Sequence, residues 1–396
     1  MIPFNKPYIT GNEIENIRKV IKSGKLSGGG DFSEKCLDFL YKRYNFSRIF
    51  LTSSGSQALE IIAILLDIQK DDEIILPSYT YVTTANVFAA KGAKLVFADS
   101  CKTNPNINTD QIENLITSKT KAIIAMHYGG VACDMSTLTK IVDKKQIFLI
   151  EDAALGLDAF YKNKPLGSLG HFGFYSFHDT KNITSGEGGL LIVNDMNYQK
   201  RAETIFENGT NRNDFIKGTV DKYEWVDFGS SYKMSELNAA FLYAQFENLE
   251  IIQSKRKDIW NLYYGKLQGL NNIRPEILPV ISYDSDQNYQ IFYLICNSDK
   301  ERLHFQKYMV GKNINCHFHY QALHRSCFIK NQGKIVRLKN SEKYSDCLIR
   351  LPLYPDLSKS DCDLIIKEVF SFFTSYQSNC FSGNHYKKIS SNNKNI

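Results

Sequence analysis

Three short stretches hold the residues best suited to chemistry. Lys181 lies in Ser176-Phe177-His178-Asp179-Thr180-Lys181-Asn182-Ile183-Thr184-Ser185-Gly186-Glu187-Gly188-Gly189, after the apolar run Phe172–Phe177 and before a glycine-rich turn. A lysine there is either a solvated surface residue or, with a depressed pKa, a nucleophile that condenses with aldehydes. Asp152 closes the apolar run that starts at Ile147. In open α/β sheets ligands bind outside the carboxyl ends of strands, so this acid is a site group, a helix cap or a turn residue. Alternation points its neighbour Glu151 the other way. Ser54-Gly55-Ser56 separates a strand pattern from a helix pattern. Backbone N–H groups and the helix dipole make such a turn an anion site, and Ser56 adds a hydroxyl. The same residues also suit a plain N-cap.

These three features fit one cofactor better than three coincidences. Pyridoxal phosphate needs an anion cradle, a carboxylate against its pyridine nitrogen and a lysine for its aldehyde. An aromatic over the ring completes the set. Tyr79 and Tyr81, in Pro77-Ser78-Tyr79-Thr80-Tyr81, qualify, with core packing as their other role. Cys316, His317, His319 and His324 also cluster like metal ligands. On a strand His317 and His319 would share a face. No second tight pair with zinc spacing accompanies them, so no metal is expected, and sugar contact and packing are the roles left. No G-x-G-x-x-G follows the first strand, which argues against a dinucleotide-binding enzyme.

The elements that must position these groups follow from hydrophobic patterning. Glu13–Ser23 puts Ile14, Ile17, Val20 and Ile21 on one helical face. Continuous apolar runs at Arg48–Ser53, Glu73–Leu76, Lys94–Asp99, Ala122–His127, Ile147–Asp152 and Leu190–Val193 alternate with helical stretches at Gln57–Ile68, Thr83–Lys91 and Met135–Lys144. That pattern predicts a mostly parallel sheet covered on both faces. Thr210–Lys222 reads as a long polar loop, and Ser235 to Leu267 as a helix-rich run. Strands are expected at Gln290–Cys296 and Asn315–Tyr320, and a closing helix near Lys359–Ser375. The division expected is a large cofactor-binding domain over 1–250, a small domain over 251–376 and a disordered Asn/Ser/Lys-rich tail over 377–396.

Composition sets the outer limits. The 396 residues, 43% hydrophobic and 23% charged, describe a folded globular chain. The net charge of +6 owes part to Lys387, Lys388 and Lys394, and no basic stripe argues for nucleic acid. No apolar run is long enough to span a membrane and the N-terminus has no secretory h-region, so a cytoplasmic location is expected. Nine widely spaced cysteines without a CxxC read as reduced thiols.

The segments SFHDTKNITSGEGG, PSYTYVTTANVF, IEDAA and HYGGVACDM resemble the sugar aminotransferases of the DegT/DnrJ/EryC1/StrS family, and the similarity runs from Met1 to about Phe373. The resemblance implies the aspartate-aminotransferase type I fold, with a mostly parallel seven-stranded sheet and a smaller C-terminal α+β domain. It implies pyridoxal 5'-phosphate, a nucleotide-sugar substrate, L-glutamate as donor, and a homodimer with shared active sites. By matching position, Lys181 would hold the cofactor's aldehyde and shuttle a proton, and Asp152 would pair with the pyridine nitrogen. Gly55, Ser56 and Ser176 would hold the phosphate, Tyr81 would stack on the ring, and Ser231 would reach the partner's phosphate. Lys25, His319 and Tyr320 would lie near the sugar nucleotide. Further segments, MIPFNKP, SGKLSGGG, ENGTNR, VDKYEWVDFGSSYKMSEL and FHYQALH, look most like the branch that aminates a dTDP-linked 4-keto-6-deoxy sugar. The same chemistry on a GDP-linked or 3-keto sugar, and a non-catalytic chain keeping the fold, are the alternatives. Three positions depart from the family pattern. Leu155 stands where a Gln or His is common, Ser231 where many relatives have Asn, and Ala322 where Pro is usual. The lysine at 181 separates the chain from the dehydratase branch, which has histidine there.

Overall fold

The structure, a computed structural model, describes residues 1–389 apart from 281, 332, 334 and 335. Seven strands form the main sheet: β1 (Ile49–Thr52), β2 (Glu73–Pro77), β3 (Lys94–Ala98), β4 (Thr120–Met126), β5 (Phe148–Asp152), β6 (Phe172–Ser176) and β7 (Gly189–Val193). Their order is β1-β7-β6-β5-β4-β2-β3. Only β7 runs antiparallel to its neighbours, β1 and β6, so the other six strands share one direction. The patterning predicts a mostly parallel sheet, and the resemblance implies seven strands; both are present.

Alternation along each strand explains why helices cover both faces. Ile49, Leu51, Ile75, Ile123 and Ala125 enter one core, while Phe50, Ile74, Leu76, Ala122 and Ile124 enter the other. A strand apolar on both faces is stable only when both are buried. Helices Glu13–Ser23, Asp31–Tyr44 and Glu236–Glu247 pack on the first side, and Gly55–Leu65 and Thr83–Ala90 belong to the second. A third core gathers Trp260, Tyr263, Phe292, Phe305, Ile349 and Phe373 from the C-terminal part of the chain, together with Ile2 from the N-terminus.

Four expectations are corrected. Asn315–Tyr320 is not a strand: Asn315 donates to Ile2, whereas His317 bridges Arg350, so successive residues meet different partners and no ladder forms. The strand expected over Gln290–Cys296 shortens to β8 (Tyr293–Ile295), paired with β9 (Leu348–Arg350). The helix-rich run expected from Ser235 is present, as helices Glu236–Glu247 and Leu249–Leu267 that part at Asn248, whose backbone leaves the helical region. The polar stretch 210–222 holds a short helix, Arg212–Ile216, clipped at its base by the Thr210–Trp225 bridge and by Asn211, which bonds Lys222 and Glu224. The closing helix, expected to end near Ser375, continues to Ile389. No proline after Pro355 is present to stop it. The expected tail is therefore helical backbone to that point, and its last seven residues lie outside the described ones.

Candidate active site

Four parallel strands end at one cavity of about 890 Å³. β1 leads into Ser54–Ser56, β2 into Tyr81, β5 ends at Asp152, and β6 brings Ser176 and then Lys181. Gln290, His317, His319, Tyr320 and Arg350 close the cavity from the C-terminal part, and Phe4 and Asn5 from the N-terminus. The volume suits a cofactor with a substrate beside it.

The turn after β1 serves both roles open to it. Ser54 is extended, and its hydroxyl accepts from the Gln57 N–H at 3.2 Å, so the helix starts at Gly55. A Cβ on Gly55 would stand 3.2 Å from both Ser176 Cβ and the Tyr175 carbonyl. The turn is thus seated directly against the end of β6, with Gly55, Ser56 and Ser176 on the cavity wall.

Asp152 is almost fully buried. Its Oδ2 accepts from the Thr84 hydroxyl at 2.7 Å and its Oδ1 from the Ala154 N–H at 3.2 Å. Burial raises its pKa, while those two hydrogen bonds and the charge of Lys181 pull it back. Glu151 points to the opposite face, as alternation requires. There it accepts from the N–H groups of Gly167, Leu169 and Gly170 and pairs with His127 Nε2 at 3.0 Å. His127 Nδ1 accepts from the Cys133 N–H, so its Nε2 carries the hydrogen given to Glu151. Glu151 is therefore bound up in holding the loop before β6, which leaves Asp152 as the cavity's acid at this strand end.

Lys181 is held by its neighbours' backbone. Gln290 Oε1 accepts from the Asn182 N–H at 3.1 Å, and its Nε2 donates to the Thr180 carbonyl at 3.0 Å. The Asn182 side chain donates to Gln253 and to the Asn288 carbonyl. Burial lowers the Lys181 ammonium to about 8 against the upward pull of Asp152, and Arg350 adds to the lowering. Near physiological pH a far larger share of such an amine is neutral than of an ordinary lysine, and the neutral form is the nucleophile.

The aromatic groups divide by burial. Tyr79 is fully buried among Tyr128, Tyr320 and Tyr344, so its role is core packing. Tyr81 is 57% exposed and stands on the cavity wall. His319 stacks on Tyr320 at 3.7 Å and meets the Tyr128 hydroxyl through Nδ1 at 2.8 Å. Burial, then Arg350 and Lys181, hold its pKa well below the usual imidazole range, so it is neutral. His324 turns away to Ser78, and Cys316 lies in the C-terminal core. Among the described residues no group of three His, Cys, Asp or Glu could hold a metal.

Two expected site residues lie elsewhere. Lys25 is exposed and bonds Ser27. Ser231 is exposed and bridges Glu207. Neither lines the cavity of its own chain. The structure instead brings their segments together: Glu236 accepts from the N–H groups of Gly30, Phe32 and Ser33, and a Cβ on Gly28 would strike the Met234 carbonyl. Sequence reasoning missed Gln290, His178 and Arg350 on the cavity wall. Only His178, within the lysine motif, had a local signal.

An anion cradle, a buried acid, a depressed lysine and an exposed tyrosine on one wall make up the donor set that pyridoxal phosphate requires, and the residues present fit it. Fold and site together define a pyridoxal-phosphate-dependent aminotransferase. The pattern of the DegT/DnrJ/EryC1/StrS aminotransferase family matches residues 7–370, and the chain belongs to that family. The chain is 30% identical over 379 residues to the uncharacterized protein MJ1066 of Methanocaldococcus jannaschii, covering 93% of this chain and 96% of that one. Among solved structures, the putative sugar aminotransferase Spr1654 of Streptococcus pneumoniae in its PMP form superposes with a TM-score of 0.87 at 24% identity, over 95% of this chain and all of that one. PseC of Helicobacter pylori, an aminotransferase of pseudoaminic acid biosynthesis, superposes with a TM-score of 0.84 at 20% identity, over 94% and 99% of the chains.

Proposed function

We propose that this chain moves the amino group of L-glutamate to C4 of a nucleotide-linked 4-keto-6-deoxy sugar. The substrate we favour is dTDP-4-dehydro-6-deoxy-D-glucose, and the product dTDP-4-amino-4,6-dideoxy-D-galactose, the reaction of dTDP-4-amino-4,6-dideoxygalactose transaminase. Such a product serves cytoplasmic assembly of surface glycans such as enterobacterial common antigen. The observation that carries the reading is that the Lys181 amine and the Asp152 carboxylate open onto one cavity beside the Ser54–Ser56 turn. The choice of sugar rests on the sequence segments named above.

When bound, pyridoxal phosphate supplies an aldehyde carbon that exchanges amino groups and a ring that accepts electrons. Gly55, Ser56 and Ser176 hold the phosphate, and the Asp152 carboxylate keeps a proton on the pyridine nitrogen. Tyr81, on the cavity wall, would be the aromatic that stacks on the ring. Lys181 would hold the aldehyde, and its amine would move the proton at the α-carbon of the donor and at C4 of the sugar. His319 and Tyr320 contact the sugar nucleotide, and Lys25, outside its own chain's cavity, does so from across the dimer. Leu155, on the cavity wall where a Gln or His is common, would offer the cofactor no side-chain hydrogen bond.

We also propose a homodimer, in which Ser231 completes the partner's phosphate site. Support comes from its exposure outside its own cavity and from the neighbouring Trp225 and Phe228, which are 78% and 64% exposed. The domain division at about residue 250 is part of this proposal: the third core draws mainly on residues beyond 258. The test is a panel of nucleotide keto sugars with L-glutamate. The dTDP-4-keto-6-deoxy sugar is expected to be converted fastest. Preference for a GDP-linked or 3-keto sugar would reassign the substrate.

A further inference from the structure

The segment that presents Tyr81 also carries two buried hydroxyls, those of Thr80 and Thr84. Both stand on the cavity wall with Asp152. The Thr84 N–H donates to the Tyr81 carbonyl at 3.1 Å as the chain enters the helix Thr83–Ala90. The turn that sets Tyr81 therefore also sets the Thr84 side chain, which is β-branched and stiff at χ1. The Thr84 hydroxyl meets Asp152 Oδ2 at 2.7 Å and Thr80 Oγ1 at 3.3 Å.

These two contacts have a direction. A hydroxyl has one hydrogen to give, and a carboxylate can only accept. An ionised Asp152 therefore takes the hydrogen of Thr84, and Thr84 in turn accepts from Thr80. The reverse order would need a proton on Asp152 Oδ2. Burial pushes the carboxyl up, and the Thr84 hydroxyl pulls hardest against it, ahead of the Ala154 N–H, Lys181 and His127. Tyr320 and Cys133, which also feel the Asp152 charge, are kept neutral by burial. With Oδ2 on Thr84 and Oδ1 on the Ala154 N–H, the carboxylate is held at both ends, and lone pairs remain for the cavity. We infer that Thr84, backed by Thr80, is the positioning residue that keeps the Asp152 carboxylate ionised and fixed in orientation at the cavity wall. The consequence for a pyridine nitrogen, which keeps its proton beside a charged acid, rests on the transaminase reading and deepens it.

The test reads the carboxyl itself. Carbon-13 signals of the aspartate carboxyls are followed across pH in the apoprotein, and Asp152 is assigned by the signal lost in Asp152→Asn. Thr84→Val removes the hydroxyl and keeps the shape, whereas Thr84→Ser keeps the hydroxyl. Loss of a hydrogen bond to a charged group predicts that Thr84→Val binds the Asp152 proton about tenfold more tightly, moving its midpoint up by about one pH unit. Thr84→Ser should titrate as the wild type. Thr80→Val should move the midpoint the same way by less, because its contact is longer and one step removed. A second readout uses the chain loaded with pyridoxal phosphate carrying nitrogen-15 in its ring. The ring nitrogen should be protonated in the wild type and Thr84→Ser and partly deprotonated in Thr84→Val, with kcat lowered and KM for L-glutamate unchanged. An unmoved Asp152 midpoint in Thr84→Val overturns the assignment. An equal move in Thr84→Ser also overturns it, because packing and not the hydroxyl would then be the cause. If Thr84→Val does not fold, Thr84→Ala deletes the same hydroxyl and is held to the same result. The apoprotein titration needs no cofactor, so a wild-type chain that binds no pyridoxal phosphate sinks the transaminase reading while the Asp152 midpoints still decide this one.

Discussion

The depressed lysine supports a prediction that needs no cofactor. With its pKa lowered from the ordinary 10.5 to about 8, the Lys181 amine is neutral in about one molecule in ten at pH 7, against fewer than about one in a thousand for an ordinary lysine. Burial causes the lowering, Asp152 opposes it, and Arg350 reinforces it. The two charges can be removed separately. Asp152→Asn deletes the group that favours the ammonium, so the titration should move below 8. Arg350→Gln deletes a like charge, so it should move above 8. The assay is reductive methylation of the apoprotein by formaldehyde across pH, quantified on the peptide that carries Lys181, with exposed Lys144 as internal reference. The neutral amine is the reacting form, so labelling of Lys181 should rise through about pH 8 and level off above it. A Lys181 titration near 10.5 that neither substitution moves would refute the reasoning.

Other expectations follow from the same geometry. Lys181→Met removes a buried ammonium and should raise the melting temperature of the apoprotein by a few degrees at pH 7. The folded pKa lies below the unfolded one, so the advantage is full below pH 8 and disappears between about 8 and 10.5; a pH-independent difference would contradict this. Gln290→Ala removes both hydrogen bonds that flank Lys181 and should cost about 1–3 kcal/mol in urea unfolding, with kcat falling more than KM. Unaltered stability and kcat would show the clamp to be idle. Gly55→Val crowds the turn against Ser176 and Tyr175 and should weaken pyridoxal phosphate by tenfold or more in a fluorescence titration of the apoprotein; wild-type affinity would place the phosphate elsewhere.

The legible part of the cavity was local. Ser54–Ser56, Asp152 and Ser176 each end an apolar run, and a parallel sheet brings such ends to one edge without long-range information. Lys181 needed only its turn after β6. Gln290 and Arg350 come from segments more than a hundred residues later, and nothing in their own neighbourhood marks them. Their place is set by how the C-terminal part packs against the sheet, which periodicity does not encode. The misread strand at 315–320 has the same origin. Its alternation is real, but Ile2, from the other end of the chain, takes one of its pairing partners. Lys25 and Ser231 were read from resemblance, and one chain alone leaves both on its surface.

The central claim is that Lys181, in one cavity with Asp152, moves the protons in a transfer of nitrogen from an amino acid to a nucleotide sugar. Its most direct test supplies the cofactor-loaded chain with nitrogen-15 L-glutamate and dTDP-4-dehydro-6-deoxy-D-glucose, then locates the label by NMR. The account predicts nitrogen-15 on C4 of the sugar with wild-type protein and none with Lys181→Ala. Label in the sugar at equal rates in both proteins, or a wild-type chain that binds the cofactor yet leaves all the label in glutamate, would contradict it.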